Sequence, residues 1–282
     1  MSRNYYYLVA GLPDLALDMK KHPMPWSQFW ELAQEQLSQA DLTLLQQLFL
    51  PIDNQNTLNH LLKENKPFIE GGIYSQNEIE EHIKNQTFNE RYLNRFVQCY
   101  RDESAPNPNL SWEDNLTELF YEFMKNSTNR FISEWFSFNY LLRNVRTALV
   151  VRQHKLNPQQ YILGNDEIST ALKKSTLSDF GLGDDIPVID KIISIFDNEN
   201  PLDQEYETDL LRWKYIDEQN TFNYFSTEVV IGFVLKYQIM DRWLKLDPAI
   251  GQSMFEQLIQ QLKQSYEFPK EFSINERRKK IN

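Results

Sequence analysis

Six apolar residues, Phe131, Trp135, Phe138, Leu142, Val145 and Leu149, recur at intervals of three or four along the chain. A strand would scatter that set over both its faces, whereas a 3.6-residue helix gathers it on one. The stretch therefore reads as a helix of roughly six turns with one stripe to bury. Leu258, Ile259, Leu262 and Tyr266 repeat the spacing near the end. Strict alternation over four or more residues is scarce. Its one candidate is Tyr5 to Ala10, strand-favouring residues before Gly11 and Pro13, which read as a short N-terminal strand or extended lead-in.

Start signals agree with a helical chain. Ser75-Gln76-Asn77-Glu78, Thr87-Phe88-Asn89-Glu90 and Ser111-Trp112-Glu113-Asp114 each set a hydroxyl three residues before a carboxylate. At that distance the hydroxyl can accept from a free backbone N–H while the carboxylate reaches back. Asn157-Pro158, Asn200-Pro201 and Asp247-Pro248 place a capping side chain before a proline suited to the first helical position. Only 8 glycines are present, too few for the turns of a sheet-rich fold. Loops are expected at Phe68–Ser75, Glu103–Leu110 and Ser175–Pro187. The fold class is all-α.

A block about a third of the chain long recurs weakly. Asn56, inside Asp53–Leu62, matches Asn144, inside Phe138–Arg152, 88 residues on. Leu235, in Tyr224–Leu235, lies 86 residues beyond Leu149. A fixed period of this kind reads as three related helical units, roughly 1–86, 87–174 and 175–282, within one domain.

Charge narrows the partners. The net charge is −11, but Glu276 with Arg277, Arg278, Lys279 and Lys280 contributes +3, leaving −14 for the rest. An acidic body is unsuited to nucleic acid, whose phosphates call for clustered lysine and arginine. The four basic residues are candidate contacts for an acidic partner or anionic lipid heads. The longest apolar run, Val229 to Leu235, has 7 residues and cannot span a bilayer. The opening residues lack the apolar stretch and cleavage site of a signal peptide. With the lone Cys99 excluding an internal disulfide, the expected setting is cytoplasmic, with Cys99 a buried, inert thiol.

Chemistry-bearing patterns fail one by one. Gly181-Leu182-Gly183 runs into Asp184-Asp185, which would repel phosphate, and no phosphate-binding loop motif occurs. Counted from Asp197, an EF-hand's sixth and twelfth positions hold Leu202 and Thr208 instead of glycine and glutamate. His22, His60, His82 and His154 have no histidine three or four residues away, and Glu78–His82 reads as a surface pair. No nucleophile elbow is present, and Cys99 has no evident base. The expectation is a non-enzyme without cofactor or metal.

Two segments carry a family resemblance. Tyr5-Tyr6-Tyr7-Leu8-Val9-Ala10-Gly11-Leu12-Pro13 is similar to the opening of an uncharacterised bacterial family encoded among V-type ATPase genes, a likeness that covers the whole chain. Phe138, Arg143-Asn144, Arg146, Leu149, Arg152, Asn157-Pro158 and Leu163-Gly164 resemble the stalk protein known as the C component of V-type and A-type ATP synthases, and as the d component of eukaryotic proton pumps. Leu141 departs from that pattern, which has an acidic residue three before the asparagine, and the third unit lacks the asparagine. The resemblance implies three helical units arranged as a funnel between central stalk and membrane rotor ring. It implies a non-catalytic coupling subunit, peripheral to the inner face of the membrane, whose partners are the central-stalk proteins and the rotor ring. An acidic helical scaffold or assembly factor of the same complex is the alternative reading. A helical hydrolase with a site built from scattered Asp, Glu and His is a third.

Overall fold

The computed structural model describes residues 4–246. Among them are twelve α-helices, a single 3₁₀ turn at Pro158–Gln160 and no strand. In chain order they are α1 (Tyr6–Gly11), α2 (Trp26–Gln36), α3 (Gln39–Gln47), α4 (Leu50–Leu61), α5 (Gln76–Asn85) and α6 (Arg91–Arg101). There follow α7 (Trp112–Lys125), α8 (Arg130–His154), α9 (Glu167–Lys174), α10 (Ile189–Phe196), α11 (Pro201–Asn220) and α12 (Thr227–Lys245).

The all-α expectation holds, but the N-terminal strand does not. Tyr5–Ala10 falls on α1 and its N-cap, with Leu8 buried and Leu12 extended (ψ 130°) before Pro13. A short strand-favouring stretch with no strand beside it among the described residues satisfies its backbone better as a short helix. Proline then stops the helix, because it forces its predecessor out of the helical region.

The sequence capping signals divide. Ser75 and Glu78 form the reciprocal capping box of α5. Ser111 caps α7, and Asn200 caps α11 ahead of Pro201. Thr87–Glu90 starts nothing: α6 begins at Arg91, with Glu90 at its N-cap. Asn94 takes the local bonds instead, accepting from the Phe88 N–H at 3.0 Å and donating to the Phe88 carbonyl at 2.7 Å. Asn157 caps only the 3₁₀ turn, and Asp247-Pro248 lies outside the described residues.

The long helix α8 holds the architecture together. Its Phe131, Trp135, Phe138, Leu142 and Val145 are buried, as the stripe requires, and Leu149 is half-buried. The first half of α8 enters a large core with α2–α7, α11 and α12. The second half packs with α9 and α10 around Val145, Ile162, Leu172 and Ile192. At the crossing, Phe138 and Tyr215 of α11 stack with ring centres 4.2 Å apart. The apolar run Val229–Leu235 becomes the buried middle of α12. There Gly232 lets α11 come close, since an added Cβ would lie 3.1 Å from the Ile216 side chain and against the Asn220 amide.

Two asparagines tie loops to helices in the same way. On α4, Asn56 donates to the Ile69 carbonyl at 2.8 Å and accepts from the Ile69 N–H at 2.9 Å. On α8, Asn144 donates to the Leu163 carbonyl at 3.0 Å and accepts from the Leu163 N–H at 3.2 Å. Each tied residue is followed within two positions by a glycine at positive φ, Gly71 (96°) or Gly164 (80°), and then by the N-cap of a short helix.

Candidate functional site

The helices α4, α7, α8, α11 and α12 converge on a cleft of about 410 Å³. Its walls are apolar where Leu58, Leu116, Phe120 and Leu235 meet, and strongly polar where α11 faces α12. Antiparallel packing of that hairpin brings Asp209 of α11, which is almost fully buried, against the last turns of α12. A carboxylate there is tolerable only if its lone pairs are filled.

They are filled. Asp209 accepts from Arg212 at 2.9 Å, from the Trp243 indole N–H at 2.7 Å, and from a guanidinium N–H of Arg242. Arg242 reaches on to Glu205 at 3.1 Å, and Arg146 of α8 donates to the same carboxylate at 2.8 Å. Arg212 also donates through Nε to Asn139 Oδ1 at 2.8 Å, while Asn139 donates to the Trp135 carbonyl. The network thus joins α8, α11 and α12 through three arginines and two carboxylates. Burial pushes the Glu205 carboxyl up, but Arg146 and Arg242 outweigh it and hold the group below the usual carboxylate range. Across the cleft, burial raises the Tyr121 hydroxyl despite the nearby Arg143 and Arg212.

Chemically this arrangement is a brace. Glu205 is held ionised by two guanidiniums, which do not give up protons near neutrality, and Asp209 has its oxygens taken up by Arg212, Arg242 and the Trp243 indole, so both serve as cross-links between helices. What it provides is a stiff three-helix junction beside an open, amphipathic cleft.

A second polar cluster is buried under α4. Asp53 has no exposed surface and accepts from the backbone N–H groups of Ile73 (2.9 Å) and Tyr74 (3.2 Å). Gly72 permits this, because a Cβ there would collide with the Asp53 carboxylate. Tyr74 donates its hydroxyl to Glu90 at 2.7 Å, and Tyr92 donates to Asn54 at 2.6 Å. Burial pushes the Asp53 carboxyl from 3.8 up to about 6; the two backbone bonds oppose the shift and nearby Glu90 adds to it.

The candidates read from sequence are dispersed. Arg277, Arg278, Lys279 and Lys280 lie outside the described residues. Cys99 is a free thiol, half-buried where full burial was expected. His82, on α5 with Glu78, bonds Thr87 at 2.8 Å. Among the described residues no three His, Cys, Asp or Glu side chains are grouped to hold a metal ion, and no helix is long and apolar enough to cross a membrane. Asp209, Arg212, Arg242 and Glu205 were not singled out in the sequence. Their one local signal is the Asp209–Arg212 spacing of three, common on any exposed helix.

Fold and cleft define an all-helical protein with an ion-braced helix junction. By sequence the chain belongs to the family described as "Protein of unknown function (DUF2764)", whose model matches residues 1–266. No curated protein and no solved structure matches significantly.

Proposed function

We propose that this protein is a non-catalytic coupling subunit of a V/A-type rotary ATPase, linking the central stalk to the membrane rotor ring during ion transport or ATP synthesis. The observation that carries the reading is the duplicated asparagine tie. Asn56 and Asn144, 88 residues apart, make the same pair of bonds to the loop after their helix. Recurrence of both spacing and geometry supports a duplicated helical unit, which the likeness to the rotary-ATPase stalk protein implies. The third unit, on this reading, is roughly 175–282 and includes α12, where Val230 takes the place of the asparagine at the 86-residue offset.

The junction suits such a role physically. A part that passes torque needs helices that do not slide, and the Asp209–Arg242–Glu205–Arg146 chain cross-links three of them, running from the buried Asp209 out to the surface. The cleft beside it offers a partner both apolar walls and polar ends. Under this reading the basic residues Arg277–Lys280 approach the membrane face. Each would contribute on the order of 1 kcal/mol near anionic lipid.

Affinity purification of the tagged chain from its native cell tests the proposal. Recovery with rotor-ring and central-stalk proteins at equal stoichiometry is expected. Recovery only with incomplete assemblies would make the chain an assembly factor, and recovery without any such protein would end the proposal.

A further inference from the structure

The molecule exposes an aromatic face that neither the cleft nor the helical packing uses. The turn joining α11 to α12 carries Phe222, Tyr224 and Phe225, and α1 brings Tyr6 and Tyr7 beside it. Phe222 is 85% exposed, Tyr7 79%, Tyr224 70% and Tyr6 58%. The Tyr6 and Phe225 ring centres lie 4.6 Å apart, so α1 and the turn meet ring to ring at this end of the molecule.

This face is held in place from beneath. The Tyr5 N–H donates to the Phe225 carbonyl at 2.6 Å, which fastens α1 to the turn. The Tyr5 hydroxyl donates to Asp41 at the start of α3, and Thr227, just after the turn, donates to the same carboxylate at 3.0 Å. Rings on anchored backbone lose little freedom on docking, which favours binding.

Its size and charge point to one kind of occupant. At 150–250 Å² per aromatic side chain, the five residues expose roughly 500–800 Å². That is as large as the largest apolar patches of monomers, which are often functional, and comparable to the ~800 Å² per partner of a standard protein interface. Residues 221–226 bear no charge, while Glu218 and Glu228 flank them without an ion pair among the described residues. Residues 4–246 hold 22 Lys and Arg against 35 Asp and Glu, a net −13. At this face a second copy would bring the same flanking carboxylates together, and an anionic lipid surface would meet Glu218 and Glu228 with like charge.

We propose that Tyr6, Tyr7, Phe222, Tyr224 and Phe225 form a docking surface for a protein partner whose contact face is apolar with a lysine- or arginine-rich border. Basic side chains at that border would meet both the tyrosine faces and the flanking carboxylates. The inference is independent of the coupling role and holds for any acidic helical protein built this way.

The test uses the purified full-length chain and a fluorescent amphipathic Leu/Lys helix about five turns long, with a Leu/Glu helix as its charge-reversed control. The triple variant Tyr7→Ser, Phe222→Ser, Tyr224→Ser changes only exposed rings, and unchanged circular dichroism and melting confirm its fold. Binding of the Leu/Lys helix to wild type, at least about tenfold weaker with the variant and absent for the Leu/Glu helix, supports the proposal. Equal binding by wild type and variant, or none to wild type, overturns it. Wild-type self-association in sedimentation velocity that the variant loses would instead give the face to a second copy. Co-sedimentation with phosphatidylcholine vesicles, with or without phosphatidylserine, that the variant loses would give it to lipid.

Discussion

Asn56 and Asn144 stand 88 residues apart and hold their loops by the same two-way hydrogen bond, one to Ile69 and the other to Leu163. A primary amide can do this because it offers a donor and an acceptor side by side, matching the C=O and N–H of a single residue.

Replacing Asn144 by alanine would leave the Leu163 N–H and C=O buried and unpaired. At about 1–3 kcal/mol for each of the two stranded groups, the loss is expected to total about 2–6 kcal/mol in urea unfolding. Asn144→Asp should recover only part, since a carboxylate still accepts from Leu163 but cannot donate. A change within about 0.5 kcal/mol for Asn144→Ala would show that the tie is ornamental.

The pH dependence of stability should expose Asp53. Its folded-state pKa lies above the ordinary value, at about 6, so the fold favours the protonated form. The stability contribution is therefore full below about 3.8 and is lost as pH rises through about 6. At most about 3 kcal/mol is involved, from 1.36 kcal/mol per pKa unit. Asp53→Asn should thus look increasingly favourable relative to wild type as pH goes from 4 to 7. A wild-type-to-variant difference that stays constant over that range would rule the titration out. Glu205 and Asp241, whose pKa values are lowered, act in the opposite sense and destabilise both proteins alike in acid.

At the junction, Asp209→Ala strands Arg212, Arg242 and the Trp243 N–H. A fully buried broken pair costs about 3–5 kcal/mol. Here the expected loss is nearer 2, because Arg242 is partly exposed and can turn to solvent and Glu205. Arg146→Ala, at the exposed end of the chain of ion pairs, should cost under about 1 kcal/mol. Equal losses for the two variants in thermal unfolding would contradict a network centred on Asp209.

Trp135 lies in the core and its carbonyl accepts from Asn139. Trp135→Ala is expected to cost about 3–5 kcal/mol and to reduce assembly through lost folding. A variant as stable as wild type would contradict its place in the core.

Features set by neighbours in sequence were legible beforehand, and those set by distant partners were not. The Phe131–Val145 stripe, the Ser75–Glu78 box and the three loops depend on residues within a few positions of one another. The Thr87–Glu90 signal misled because Asn94 claims the Phe88 backbone and Tyr74 claims Glu90. Tyr5–Ala10 misled because six residues cannot distinguish a half-buried strand from a one-turn helix without knowing what packs beside them. The Asp209–Arg242 contact joins residues 33 positions apart, and nothing local marks it. The same holds for the cleft, which needs five helices in place before it exists.

The coupling role is tested most directly by comparing the rotary complex isolated with and without this chain. ATP hydrolysis and ion pumping would be measured on the same vesicles. The expected result is hydrolysis that persists while pumping collapses, with pumping restored when purified chain is added back. Fully coupled pumping by an assembled complex that lacks the chain would contradict the role.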